Sequence, residues 1–180
     1  MRHFFVSLQN RFLSLLLSLL LAFLLPFGLT GCTGAQAAQR AEAAITAVLN
    51  IAAVEVAVVP VADQAAYKGF IALAQNVNGQ LQTCITNVSG ITGKGAKFLS
   101  CFNTFAQGLL SPTELAQLRI LSPATAAKVQ LYVTAIVAGV NIAVAAFGGT
   151  AVPVPAVGAA PSASELAPIY REMHRAAFGD

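Results

Sequence analysis

The feature that most constrains the fold of this chain is a series of apolar segments at helical spacing, the first of which is long, alanine-rich and free of glycine and proline. The first segment runs from about Gln36 to Val59 and is stopped by Pro60. Its larger apolar residues recur at helical spacing, at Ile45, Val48, Leu49, Ala52 and Val56. Alanine is the best helix former, and this spacing places the larger side chains on one face of a helix. The segment therefore predicts an amphipathic helix that must pack against other elements.

Two further helices are predicted on either side of a glycine-rich loop. The second helix starts with Asp63 at its N-cap and frays after Cys84. The stretch from Ser89 to Gly95 contains three glycines and no periodicity, which is typical of a loop. The third helix runs from about Ala96 to Leu110. Its inward-facing residues are Phe98, Leu99, Phe102, Phe105 and Leu109.

Two Ser-Pro pairs mark further helix starts. Ser111-Pro112 supplies an N-cap serine and a proline at the first helical position, and a glutamate three residues after the serine completes a capping box. This signal predicts a short helix that ends near Leu121. Ser122-Pro123 then opens the longest predicted helix, about Ala124 to Phe147, which ends at Gly148-Gly149.

The sequence changes character after these helices. Residues 150–163 include three prolines and are typical of an extended linker. Residues 164–180 form a tail with one short predicted helix, about Ser164 to Phe178, in which Pro168 restricts the first turn. Such an amphipathic tail suits docking on a protein partner, although tails of this kind also pack on their own domain. The chain is thus predicted to be all-α, with a bundle of four or five helices over residues 36–149.

The composition argues against nucleic acid as a partner. The chain is 57% hydrophobic and 9% charged, whereas an ordinary soluble domain is about 25% charged. Two of its ten basic residues, Arg2 and Arg11, lie before the first predicted helix, and the other eight nearly balance seven acidic residues. A chain so close to neutrality has no basic patch for nucleic acid, which argues against nucleic-acid binding.

The N-terminal segment has the features of an export signal. Arg2, His3 and Arg11 precede an almost wholly apolar stretch from Phe12 to Leu29. A positive region, an apolar region and small residues at a cleavage site define a secretory signal. The chain then reads Leu29-Thr30-Gly31-Cys32, which resembles the lipobox of bacterial lipoproteins at all four positions.

The resemblance implies that residues 1–31 are removed and that Cys32 carries lipid. Two or three acyl chains would hold the protein permanently at a membrane of the cell envelope, with residues 32–35 as a tether. Because Thr33 rather than an aspartate follows the cysteine, the resemblance favours the periplasmic face of the outer membrane in bacteria that have two membranes. The alternative is an uncleaved membrane helix, since about 18 apolar residues can just span a bilayer. Pro26 interrupts that stretch near its end.

A second membrane alternative concerns residues 129–147, which carry no charge and are long enough to span a bilayer. Gln130, Thr134, Gly139 and Asn141 lie within this stretch and argue against a span. Apolar helices also occur at the centre of soluble bundles, and we favour that interpretation.

Cys84 and Cys101 are the cysteines that remain once Cys32 is lipidated. In a small exported domain, two cysteines most simply form a structural disulfide. It would join the second helix to the third across the glycine-rich loop. A redox-active pair is disfavoured because the C-x-x-C spacing is absent, and two free buried thiols are the remaining alternative.

The other residues that could carry chemistry form no recognisable site. His174 is the one histidine after the export signal, and a single glutamate beside it completes neither a metal site nor a catalytic triad. Gly93-Lys94-Gly95 lacks the hydroxyl residue of a phosphate-binding loop. Glu55 interrupts an apolar stretch, and we expect it on an exposed face, with Lys128 and Lys68 as candidate partners if it is buried. No catalytic residue, metal or cofactor is predicted.

Three functions are compatible with these features. The leading hypothesis is a non-enzymatic envelope lipoprotein with a structural or binding role. The second is a carrier or sensor of an apolar ligand, although ordinary core packing is the simpler interpretation of the aromatic residues concerned. Those residues are Phe98, Phe102, Phe105 and Tyr132. The third is an assembly component of a larger membrane complex, which would use exposed small-residue faces and the tail.

Overall fold

The computed structural model describes residues 34–89, 94–111 and 121–179, and within these ranges the protein is a helical bundle without β-strands. A 3-10 helix, Glu55–Val58, joins the first two α-helices. The α-helices are α1 Gly34–Val54, α2 Val61–Ser89, α3 Gly95–Leu109, α4 Pro123–Ala146 and α5 Ala163–Phe178. The predicted all-α fold is confirmed. The short helix predicted over residues 112–121 falls almost wholly outside the described residues, as do loop residues 90–93.

The central helix of the bundle is α1, which packs against α2, α4 and α5. Its buried positions recur at helical spacing and are mostly small: Ala38, Ala41, Ala44, Ile45, Val48, Leu49 and Ala52. The described residues begin at Gly34, and Gly34 and Ala35, which the prediction placed in the tether at 32–35, are helical. A Cβ atom at Gly34 would lie 3.3 Å from the Phe147 ring. The missing side chain leaves room for that ring beside the helix.

The α2 helix corrects three predictions. It begins at Val61, so Asp63 lies in its first turn and is not its N-cap. It continues beyond Cys84 because Ile85 and Val88 are buried in the core and hold the last turns in place. With 29 residues against 24, α2 rather than α4 is the longest described helix.

The α4 helix has a well-defined start and end. It begins at Pro123 after Ser122, as predicted. At the other end, Gly148 adopts a positive φ of 72°. Its N–H donates to Ala145 O at 3.1 Å, and the N–H of Gly149 donates to Val144 O at 2.9 Å. This pair of bonds is the Schellman motif that the two glycines predict.

Two helical stretches, Gly34–Val58 and Pro123–Ala146, are long and apolar enough to cross a membrane by length and composition. In the most apolar window of α4, 61% of the residues are buried inside the bundle. A core helix of a soluble protein passes the same test, and the helices around α4 already cover most of its surface.

Residues 150–162, which we call the strap, run without helix from α4 to α5. They are not a free linker, because Val152 and Val157 pack against the core. The tail helix α5 then lies on α1 and α4 and buries Ile169 and Met173. The tail thus packs on its own domain. Pro168 lies inside α5 beyond its first turn, which corrects its predicted position.

Candidate functional site

The predicted lipidation residues, Leu29, Thr30, Gly31 and Cys32, lie outside the described residues. The description begins at Gly34, the first residue of α1. Two residues of fully extended chain span at most about 7 Å. Cys32 lies two residues in sequence before the described part of the central helix.

The structure joins Cys84 of α2 to Cys101 of α3 by a disulfide, with the two Cα atoms 5.8 Å apart. Cys101 is 2% exposed, whereas Cys84 is half-buried beside the solvent-facing side of α2. The bond joins the second predicted helix to the third, as expected from the two remaining cysteines. Its buried position suits a structural link more than exchange with an external thiol.

Next to Cys84, an open groove of about 610 Å³ runs along the outer side of α2. Its lining is free of charged groups: Gln75, Asn76, Gly79, Gln80, Thr83, Cys84 and Asn87. Amides and hydroxyls both donate and accept hydrogen bonds. The groove can therefore contact neutral polar groups, but its lining holds no acid, base or strong nucleophile.

A buried polar cluster joins the start of α2 to the start of α4. The Asp63 side chain is 7% exposed. Its carboxylate accepts the backbone N–H of Ser122 at 3.3 Å, the Ser122 hydroxyl, and the Thr125 hydroxyl at 2.6 Å. Asp63 thus serves the start of α4, the helix that Ser122 precedes, instead of its own helix. An anion is favoured at that position by the exposed N–H groups of the helix start.

The hydrogen bonds of this cluster set the protonation of Asp63. The Ser122 hydroxyl, followed by the Thr125 hydroxyl, holds the pKa of the Asp63 carboxyl below its ordinary value, although burial acts in the opposite direction. The carboxylate is therefore charged at neutral pH and accepts every bond it makes. This arrangement favours a structural role over proton transfer.

Glu55 does find one of its two candidate partners. Lys128 Nζ lies 2.6 Å from Glu55 Oε2, with side-chain exposures of 36% and 33% respectively. Burial, together with the nearby Glu55 carboxylate, raises the pKa of Tyr132. Tyr67 is also buried, and its hydroxyl donates to Ala52 O at 3.0 Å. Both tyrosines are thus neutral hydrogen-bonding residues of the core.

The aromatic residues proposed to line a ligand cavity are packed in the core. Phe98 and Phe102 expose none of their surface, Tyr132 exposes 1% and Phe105 2%. These four residues are therefore packed against their neighbours with almost no accessible surface. A ligand could bind among them only if core residues moved.

Two amide side chains of α4 hold the strap, a role that the sequence argument missed. Gln130 is 5% exposed, and its Oε1 accepts the N–H groups of Val157 at 2.6 Å and of Gly158 at 3.1 Å. Asn141 accepts from Val152 N at 2.7 Å and donates to Val152 O at 3.0 Å. These bonds explain two of the polar residues within the apolar stretch 129–147.

A polar seam lies between α1 and α2. Gln82 Nε2 and Thr46 Oγ1 each donate to Glu42 Oε1 at 2.6 Å. Asn78 donates to Thr46 at 2.8 Å, whereas its own Oδ1 is buried without a hydrogen-bond partner. The Glu42 carboxylate thus accepts hydrogen bonds from both helices, and the seam links α1 to α2.

Basic residues occur at the end of the bundle where α1 starts. Lys94 precedes α3 and donates to Ser89 O, and Lys97 is exposed in the first turn of α3. Gly34 faces Phe98 in that same turn of α3. On the other side of α1, the Arg40 guanidinium lies 4.7 Å from the ring centre of Phe178, which is 47% exposed. We call Arg40, Lys94 and Lys97 the basic end.

The tail histidine does not assemble a site. His174 is exposed and its ring lies 4.9 Å from that of Phe178, while Glu172 pairs with Arg175 at 2.6 Å. Among the described residues, no group of three His, Cys, Asp or Glu side chains could hold a metal ion. The predicted solvent-facing position of His174 is confirmed.

No protein-family model matches the chain, and neither a curated protein nor a solved structure is significantly similar to it. The residues that bear on function are therefore those of this chain alone. The candidates among them are the lipobox-like sequence, the disulfide and the α2 groove.

Proposed function

We propose that this protein is a bacterial envelope lipoprotein, acylated on Cys32, whose helical bundle has a structural or binding role at a membrane surface. The observation that carries the proposal is the sequence Leu29-Thr30-Gly31-Cys32, which follows a positive and then apolar segment and stands two residues before α1. Cleavage before Cys32 would leave a mature chain that begins almost at once with the folded bundle.

The disulfide gives independent support. Disulfides persist in oxidising compartments such as the periplasm and are rare in the cytoplasm. The bond between Cys84 and Cys101 joins two helices of the core and is therefore part of the fold. A domain of this kind is suited to a location outside the inner membrane.

Mass spectrometry of the protein purified from membranes of an expressing bacterium tests the proposal. We expect an N-terminus at an acylated Cys32, and two further cysteines that react with an alkylating agent only after reduction. The matched variant Cys32→Ser should keep its signal segment and carry no acyl group. An intact Met1 on the wild-type protein, with both bundle cysteines reactive before reduction, would overturn the proposal.

A role as an assembly component is the second candidate, and an exposed apolar patch favours it. Val54, Val58 and Val61 lie at the end of the bundle opposite the start of α1 and are 76%, 68% and 84% exposed. Exposed apolar clusters often mark protein contacts. Under this candidate, cross-linking in intact cells yields a product that Val58→Asp abolishes. The strap variant Val154→Asp, also at an exposed valine, should leave it unchanged, and a wild-type protein without any product would contradict the idea.

A further inference from the structure

We infer that two copies of this chain associate by reciprocal exchange of α5, so that the α5 of each copy packs on α1 and α4 of the other. The new contact between the copies is the valine patch, which we define as Val54, Val58 and Val61. The inference does not depend on a lipid on Cys32. It rests on the second candidate function, which uses the same exposed patch, and it names the partner as a second copy of the chain.

The surface that α5 covers fits the sequence of α5 closely. Ile169 and Met173 are the buried residues of this helix. A Cβ atom at Gly139 of α4 would lie 3.2 Å from Cε of Met173 and 3.2 Å from Cγ1 of Ile45, a residue of α1. The glycine therefore leaves the space that the methionine occupies between the two helices. The α5 of a second copy has the same sequence and fits the same surface equally well.

The course of the chain brings the start of α5 to the end of the bundle that carries the valine patch. The strap lies against the first turn of α4, because a Cβ atom at Gly158 would lie 2.4 Å from the carbonyl group of Ala126. The ion pair of Lys128 with Glu55 joins the same part of α4 to the 3-10 helix of the valine patch. Phe178, at the other end of α5, lies beside the second turn of α1. The helix α5 thus starts near the valine patch and runs away from it.

Three residues, Ala159, Ala160 and Pro161, separate the fixed part of the strap from α5, and we call them the hinge. The strap is hydrogen-bonded to α4 as far as Gly158, and Ser162 is already the N-cap of α5. Within the described part of the chain, the hinge residues make no hydrogen bond. A change of direction in the hinge therefore redirects α5 without breaking the strap or the helix.

The short hinge decides which surfaces of the two copies meet. Four steps of fully extended chain, from Gly158 to Ser162, span at most about 14 Å. A second bundle can therefore receive α5 only if it lies against the end of the bundle where the hinge is. Exchange is reciprocal in a pair with two-fold symmetry. The same end of each copy then meets the other, and each valine patch faces its counterpart.

Burial of the valine patch favours the exchanged pair. Because α5 makes the same contacts in either arrangement, those contacts do not favour exchange, and a short linker gives α5 an effective concentration in the millimolar range for its own copy. The three valines are mostly exposed in a single copy, so a second copy removes their apolar surface from water. Glu55, in the same stretch, is paired with Lys128, and Asp63 is buried. The two patches therefore meet through uncharged side chains.

Exchange places Gly139 of one copy beside Met173 of the other, and cysteine cross-linking tests this directly. Gly139→Cys is introduced in one full-length copy and Met173→Cys in a second copy with a different tag, and both are produced in the same cells. A short reagent that joins two thiols is added to the membranes. Cys84 and Cys101 do not react because they form a disulfide. The matched control carries Asn76→Cys, at an exposed position of α2, instead of Gly139→Cys.

We expect a cross-linked product that contains both tags and that the control pair does not form. Val58→Asp in both copies should lower the amount of this product at least about tenfold, because one valine per copy is no longer buried favourably. Val154→Asp, at an exposed valine of the strap, should leave the product unchanged. Wild-type copies with the two tags should also co-purify, and Val58→Asp should lower that yield as well.

Three outcomes overturn the inference. An absent two-tag product refutes the exchange, and co-purification of wild-type copies would then show a dimer that forms without it. A two-tag product that Val58→Asp leaves unchanged refutes the contact at the valine patch. A product that joins one copy to a different protein, and that Val58→Asp abolishes, refutes a second copy as the partner while it leaves the second candidate function intact. Mass spectrometry of Cys32 in the same membranes tests the proposed lipoprotein separately.

Discussion

Two chain connections of this bundle are held in place in different ways. The α2–α3 connection is closed by a covalent bond between Cys84 and Cys101. The α4–α5 strap is held by hydrogen bonds from two amide side chains, Gln130 and Asn141. The disulfide lowers the entropy of the unfolded chain, whereas the amides act only while the strap lies on α4. Loss of the disulfide should therefore destabilise the whole bundle, whereas loss of the amide hydrogen bonds should let the strap open locally.

Removal of the covalent link should have the largest effect. Replacing Cys84 and Cys101 together by alanine is expected to lower the free energy of unfolding by about 3 kcal/mol, from the entropy of a closed loop of this length. The two cysteines are 17 residues apart in the chain. Denaturant unfolding of the variant and of the wild type, with and without reductant, measures the difference. The reduced wild type is the control and should be as stable as the variant. If the oxidised wild type were no more stable than the variant, the disulfide would not stabilise the bundle.

Loss of the strap's main acceptor should have the next largest effect. Gln130→Met keeps a side chain of similar size but leaves the N–H groups of Val157 and Gly158 without their acceptor. Because both residues are half-buried, we expect a loss of about 2 kcal/mol and faster cleavage of the strap by elastase. Gln75→Met, at an exposed position of α2, is the matched control. If the variant lost the whole bundle cooperatively before any cleavage of the strap, local opening would be refuted.

The hydrogen bonds of Asp63 also link two helices, α2 and α4, and their contribution to stability depends on pH. The folded-state pKa of Asp63 lies below its unfolded value, mainly because the Ser122 hydroxyl donates to the carboxylate. Its stabilising contribution is therefore complete above about pH 4 and is lost as the pH falls through the lower, folded-state pKa. Asp63→Asn keeps one acceptor oxygen, so we expect a smaller loss at pH 7 than in the Gln130 variant.

Thermal unfolding between pH 7 and pH 2.5 measures this contribution. The difference in melting temperature between wild type and Asp63→Asn should shrink as the pH falls below 4. Glu165→Gln is the comparison for an exposed carboxyl, since the Ser162 hydroxyl also holds the pKa of Glu165 below its ordinary value, and its pH dependence should be smaller than that of Asp63→Asn. A difference for Asp63→Asn that is constant over the whole range would show that the charge of this residue does not stabilise the fold.

The helices could be predicted, but the contacts between them could not. Alanine-rich segments, the Ser122-Pro123 start and the Gly148 stop act within a few residues, so the local sequence contains their signals. The partners of Asp63 lie 59 and 62 residues away, which no local pattern reveals. One signal was local and overlooked: Ser162 and Glu165 form a capping box at the start of α5.

The site could be predicted in part for the same reason. The disulfide between Cys84 and Cys101 could be predicted because these are the two cysteines that remain if Cys32 is lipidated, and two cysteines have few alternatives. The role of Gln130 was missed because an amide within an apolar helix indicates only that some polar partner exists. That partner is the strap backbone, 27 and 28 residues away. The lipobox-like residues remain a prediction from the sequence.

The smallest effect should come from the ion pair between Lys128 and Glu55. Both side chains are about one-third exposed, and pairs that reach water contribute at most about 1 kcal/mol. Lys128→Met is therefore expected to change the free energy of unfolding by less than this, and 1 M salt should reduce the difference further. Lys68→Met, at an exposed position, measures what a lysine-to-methionine change costs without an ion pair. A loss of unfolding free energy above about 2 kcal/mol would mean that the Glu55 carboxylate depends on Lys128 as its partner. The ion pair would then contribute as much to the stability of the bundle as the hydrogen bonds of Gln130 do.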